Sequence, residues 1–233
     1  MFYLFHHMPK CGGTSFKHFL QLIFNLHDDY HTGNANSHPQ DFSNYINHPC
    51  KLENLTKDDC LAGHYNIDKI RLWERYPNLE EVPHKKFCIL RDPLDTAKSG
   101  VKFGIKRGWY NASMPFDEKE RLLLQRSNYF SKTLGIKDKD HAEEVLEKYW
   151  LVAPLSNIDQ VANLISFETG NDLLPVPKLN ATDDSEGFFP EDLNDKFNTE
   201  AELDIHVYNL CVIKFKEQLI SSPIHKLLAG NTN

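Results

Sequence analysis

A chain of 233 residues, 40% hydrophobic and 25% charged, has an ordinary globular composition and enough length for one α/β domain with a real core. Its formal net charge of −7 argues against a general nucleic-acid binder, which needs a broad basic surface, so an anionic ligand must be held by a local cluster of donors. The five cysteines, Cys11, Cys50, Cys60, Cys88 and Cys211, form no CxxC pair and read as reduced thiols rather than a disulfide framework.

Phe2-Tyr3-Leu4-Phe5 is a short apolar run and predicts a buried parallel strand. It runs straight into His6, His7 and Lys10, too short for a signal-peptide core or a membrane span, so the expected location is cytoplasmic. The N-x-S/T triplets at Asn54, Asn111 and Asn180 then read as chance. Pro9 to Ser15 is a turn, and apolar residues at 16, 19, 20, 23 and 26 predict a helix over Phe16 to Leu26. Residues 28–49 are polar and read mainly as loop. Cys60 to His64 and Lys86 to Leu90 are strands, and Pro93 to Lys106 is a helix with proline in its first turn. Residues 117–134 form another helix, and the Lys/Asp/Glu run at 137–148 reads as a solvated helix face. A strand at Tyr149 to Val152, a helix from Ile158 to Thr169 and a long 170–190 loop follow. The last helix spans about 199–220, with a stripe at Ile205, Tyr208, Val212, Phe215 and Leu219. Strands alternating with helices predict a single α/β domain over 1–233, with a central parallel sheet flanked by helices.

His7-Met8-Pro9-Lys10-Cys11-Gly12-Gly13-Thr14-Ser15 follows a buried strand and opens a helix. Two glycines let the backbone turn tightly and approach a ligand, and the free N–H groups of a helix start attract an anion. Thr14 and Ser15 add hydroxyls, and Lys10 adds a charge. This is not a Walker A loop, because its first glycine is missing and the lysine precedes the glycines. His27 and His31 stand four apart, as zinc ligands on a helix would, but no glutamate sits beside His27, and no metal is expected.

The loop resembles the H-x-P-K-T-G-G-T-S element of carbohydrate-type sulfotransferases (sulfotransferase family 2, heparan sulfate 2-O-sulfotransferase-like), with Cys11 in place of threonine. Arg91-Asp92-Pro93-Leu94-Asp95-Thr96-Ala97-Lys98-Ser99 is similar to that family's R-D-P-x-x-R-x-x-S motif for the donor 3′-phosphate, with Thr96 in place of arginine. Weaker matches follow in order at Ala62-Gly63-His64, Asn128 to Gly135, Tyr149 to Asp159, Lys178 to Thr182 and Leu203 to Tyr208. The resemblance implies a P-loop-like sulfotransferase fold and 3′-phosphoadenosine 5′-phosphosulfate (PAPS) as co-substrate, without a metal. It implies that Lys10 stabilises the leaving oxygen and that Lys10, Cys11, Gly12, Gly13, Thr14 and Ser15 hold the 5′-phosphosulfate. Arg91 and Ser99 would read the 3′-phosphate. His64 would be the base that takes the acceptor proton, while His7 packs beside the loop. The expected acceptor is a hydroxyl on a glycan, a glycolipid or a small metabolite, and the charge of −7 argues against a heavily sulfated polyanion. A P-loop-type nucleotide kinase and a non-catalytic nucleotide-binding module are the alternatives.

Overall fold

The computed structural model describes residues 1–30, 39–66, 70–177, 179 and 188–221. The strands are β1 (Phe2–His6), β2 (Asn25–Asp29), β3 (Asp59–Gly63), β4 (His84–Leu90) and β5 (Leu151–Pro154). The helices are α1 (Gly13–Ile23), α2 (Pro39–Asn47), α3 (Leu72–Arg75), α4 (Pro93–Lys106), α5 (Phe116–Leu124), α6 (Tyr129–Leu134), α7 (Lys139–Glu147), α8 (Ile158–Thr169), α9 (Asp192–Glu200) and α10 (Glu202–Ser221). Every described strand pair is parallel, in the order β2-β3-β1-β4-β5. The expected α/β domain with a parallel central sheet is what forms.

Every residue of β1 is buried because both faces of the sheet are covered. Tyr3 and Phe5 point to one face, where they meet Phe16, Phe19 and Leu20 of α1 and Val161 and Ile165 of α8. Phe2 and Leu4 point to the other and pack with Leu61, Leu72 and Tyr76. Further along that second face, Cys88, Leu90 and Val152 meet Phe130 of α6, Leu146 of α7 and Val207 of α10. All five cysteines are free. Among the described residues no helix is long and apolar enough to cross a membrane.

The structure differs from the sequence reading where polarity or a local turn hides an element. The first helix stops at Ile23, and Asn25–Asp29 forms an edge strand against β3. That strand is polar and half-exposed, so it carries no apolar alternation. The 28–49 stretch holds the end of β2 and all of α2. The predicted 117–134 helix breaks into α5 and α6 at Asn128, which takes a left-handed φ of 56°. Buried Asp204 then accepts hydrogen bonds from Phe130 N at 2.8 Å and Ser131 N at 2.7 Å, capping α6 from a distant helix. The strand expected at Tyr149 to Val152 sits two residues on, at Leu151–Pro154. The expected last helix forms as α10, preceded by the separate α9, and its fully buried apolar line is Val207, Cys211 and Phe215, with Ile205, Tyr208 and Val212 half-buried. In α7, Ala142, Val145 and Leu146 are buried and the charges face outward, as expected.

Candidate active site

The chain leaves β1 toward β2 on one side and leaves β4 toward β5 on the other. Adjacent strands with opposite exits open a crevice at their carboxyl ends, the usual ligand position in such sheets. The loop from His7 to Gly12 lies there. Lys10 and Gly12 both adopt left-handed φ, 66° and 75°, which folds the chain back sharply into α1. Gly12 is the N-cap of α1 and has no side chain to cap it, so the first N–H groups of the helix point outward without an intrahelical acceptor.

A cavity of about 310 Å³ opens beside this loop, lined by Lys10, His64, Thr96, Gly100, Phe103 and Arg126, among others. The segments after β1 and β3 and the helices α4, α6 and α10 thus contribute to one pocket. Lys10 Nζ lies 4.2 Å from the centroid of the Phe103 ring. Burial lowers the Lys10 pKa, and the charges of Arg91, Arg126 and Lys106 lower it further. This cationic crowd is favourable only for an anion.

The other predicted residues are distributed as follows. Cys11 is buried with Sγ 3.9 Å from Thr96 Oγ1, and burial pushes its thiol up to about 12. Its side chain therefore faces α4, leaving its backbone to the loop. Thr96 is itself buried and donates to Arg91 O at 3.4 Å, so this position holds the loop to the end of β4. Thr14 is exposed. Ser15 is buried, and its hydroxyl donates to Leu179 O and accepts from Leu179 N, both at 3.0 Å. The hydroxyl is engaged by the backbone of Leu179, and the backbone N–H remains at the helix start. Arg91 is half-exposed, 3.5 Å from Asp95 Oδ2. Ser99 is buried in α4 outside the cavity lining.

His64 sits directly after β3 and is half-buried against the cavity. The His7 ring lies 4.2 Å from it, and the Tyr30 ring meets it edge-on at 4.7 Å. His7 stacks on Phe5 at 5.2 Å and shares a 2.8 Å hydrogen bond between Nδ1 and the Tyr30 hydroxyl. A Cβ on Gly13 would overlap the His7 ring, so the second glycine of the loop is a space for this histidine. His6 Nε2 donates to Tyr65 O at 3.2 Å, which leaves Nδ1 to accept from the Tyr149 hydroxyl at 2.7 Å. Burial drives His6 down to about 3 and His7 well below its usual value, so both are neutral at neutral pH.

Lys10 and His64 are brought to one cavity; Arg91 stands beside it as a charged neighbour of Lys10. Phe103, exposed Trp109 and Arg126 also line it, and no motif had marked them. Arg126 stands two residues before the Asn128 segment, which is the one signal that could have found it. Among the described residues no three His, Cys, Asp or Glu side chains are grouped to hold a metal. His27 Nε2 bonds Asp59 Oδ1 at 2.7 Å, while His31 and Asn180 to Thr182 lie outside the described residues.

A crystal structure of a sulfotransferase from Alicyclobacillus acidocaldarius superposes on this chain with a TM-score of 0.51, covering 88% of this chain and 95% of that one. The chain has the sulfotransferase fold. Sequence identity to that protein is 15%, so the likeness is one of fold and the residues must carry the chemistry. No family model and no curated protein matches the sequence. Within the sulfotransferase fold, the loop after β1, the end of β3 and the end of β4 are the segments that bear the predicted site residues.

Proposed function

We propose that the protein is a sulfotransferase of the carbohydrate type that moves a sulfuryl group from PAPS to the hydroxyl of a saccharide or small molecule. The observation that carries this reading is the meeting of Lys10 and His64 in one cavity beside an uncapped helix start, with Arg91 and Arg126 as cationic neighbours. PAPS, when bound, supplies the activated sulfuryl group. The N–H groups of Gly13, Thr14 and Ser15 would hold the 5′-phosphate oxygens, and Arg91 would bind the 3′-phosphate. Lys10 would stabilise charge on the leaving oxygen, as donors do when aimed at developing charge. His64 would take the proton from the acceptor hydroxyl. No metal is needed in this reading, because a lysine and a helix start neutralise the leaving group. The five free thiols support the expected cytoplasmic location.

The test is transfer of radiolabelled sulfate from PAPS to a panel of hydroxylated saccharides and small molecules, with wild type and Lys10→Ala. Transfer that falls by on the order of 10²–10³ in a folded Lys10→Ala protein is the expected result. Undiminished transfer in that variant would remove Lys10 from the chemistry. Tight nucleotide binding without transfer to any member of the panel would favour a binding module instead.

A further inference from the structure

Arg126 belongs to no recognised motif, yet it is one of the cations of the pocket. It lies between α5 and α6, two residues before the left-handed turn at Asn128. There its guanidinium rests on the bare face of Gly100 in α4. A Cβ at Gly100 would stand 2.6 Å from Nη1 and 2.8 Å from Cζ. Gly100 follows Thr96 by one helical turn, and both line the cavity. Arg126 is half-buried and has no carboxylate partner among the described residues. Asp204, the carboxylate in the cavity lining, is already engaged by Phe130 N and Ser131 N. A partly desolvated guanidinium without a counter-charge is unfavourable until a ligand supplies one. Its planar fork suits phosphate oxygens.

We propose that Arg126 binds the 3′-phosphate of the nucleotide donor, supplying from the α5–α6 turn the cation that position 96 lacks. Thr96 is committed to Cys11 and Arg91 and brings no charge. Gly100 is then the space that admits the guanidinium to the α4 face. The inference rests on the donor named above, and the experiment separates the two.

Calorimetric titrations would compare 3′-phosphoadenosine 5′-phosphate with adenosine 5′-phosphate on wild type, Arg126→Ala, Gly100→Ala and the double variant. Arg126→Ala should weaken the bisphosphate on the order of ten- to a hundredfold, while adenosine 5′-phosphate is little changed. Gly100→Ala leaves the arginine in the chain but displaces it, so it should produce the same selective loss, and no further loss in the Arg126→Ala background. Unchanged bisphosphate affinity in Arg126→Ala, or equal losses for both nucleotides, would overturn the role of Arg126. A wild-type protein that does not prefer the bisphosphate would overturn the donor reading itself, and this inference with it.

Discussion

Replacing Gly13 with alanine should be costly for a reason specific to this loop. The new methyl group would occupy the space of the His7 ring. Elsewhere the end of a side chain could swing aside, but His7 is clamped. Phe5 stacks on one face at 5.2 Å, His64 lies at 4.2 Å, and the Tyr30 hydroxyl holds Nδ1 at 2.8 Å. Overpacking of this kind costs about 1–3 kcal/mol, losing the Tyr30 hydrogen bond about 0.5–1.5, and alanine returns up to about 1 through helix propensity. The net loss lies within about 0.5–4.5 kcal/mol and centres on about 2, a large share of a typical domain's stability. Urea unfolding should show a lower midpoint with an unchanged slope. In a His7→Ala background the same substitution should be nearly neutral, because the ring it strikes is gone. An equal cost in both backgrounds would refute the clash.

Three further perturbations probe other parts of the structure. His64→Ala should cut turnover by on the order of 10²–10⁴ and abolish the acidic limb of the pH–rate profile, with nucleotide affinity kept; a surviving acidic limb would place the base elsewhere. Asp29 accepts from Arg75 Nε at 2.7 Å, Arg75 Nη2 at 2.6 Å and the Tyr76 hydroxyl at 2.8 Å, all buried. Asp29→Ala strands that guanidinium and should cost about 3–5 kcal/mol in thermal or urea unfolding, whereas a loss below about 1 would show the network to be dispensable. His6 and His7 have pKa values below the ordinary 6.5, so the unfolded chain binds their protons first. Stability is therefore full above about pH 6.5 and falls as pH drops, toward about pH 3 for His6, with His7 adding to the fall in the same direction. A urea midpoint that stays flat from about pH 7 to about pH 5 would contradict their neutral burial.

The legible parts of the sequence were those whose pattern is local. Phe2 to Phe5 and Lys86 to Leu90 are short, mostly apolar runs buried on both faces, a pattern that suits a strand of a covered parallel sheet. The loop from His7 to Ser15 was legible because glycines, a lysine and hydroxyls converge within nine residues. β2 was hidden because an edge strand with one partner tolerates Asn25, His27 and Asp28 on its surface. The break at Asn128 depends on Asp204, 76 residues later along the chain (204 − 128), which caps the new helix start. Arg126 owes its place to that break, so neither could be read locally. The dual use of Ser15 was equally remote, since its partner is the backbone of Leu179.

The order of strands bears directly on the proposed transfer. His64 follows β3, Lys10 follows β1 and Arg91 follows β4, and these three strands are neighbours in the sheet with β1 in the middle. Neighbouring strands run about 4.7–4.9 Å apart, so the three residues leave the sheet in a row. An in-line displacement needs the attacking oxygen and its base on one side of the transferred group and the leaving oxygen on the other. A group held at Lys10 would have His64 on the acceptor side and the cations Arg91 and Arg126 on the nucleotide side. On the acceptor side the rings of His7 and Tyr30 pack around His64, and Lys17 Nζ lies 4.8 Å from the Tyr30 ring centroid. The nucleotide side carries the positive charge that lowers the pKa of Lys10. Under the proposed function this distribution favours a donor laid with its phosphates toward Arg91 and Arg126, because the reversed orientation would leave those cations unmatched.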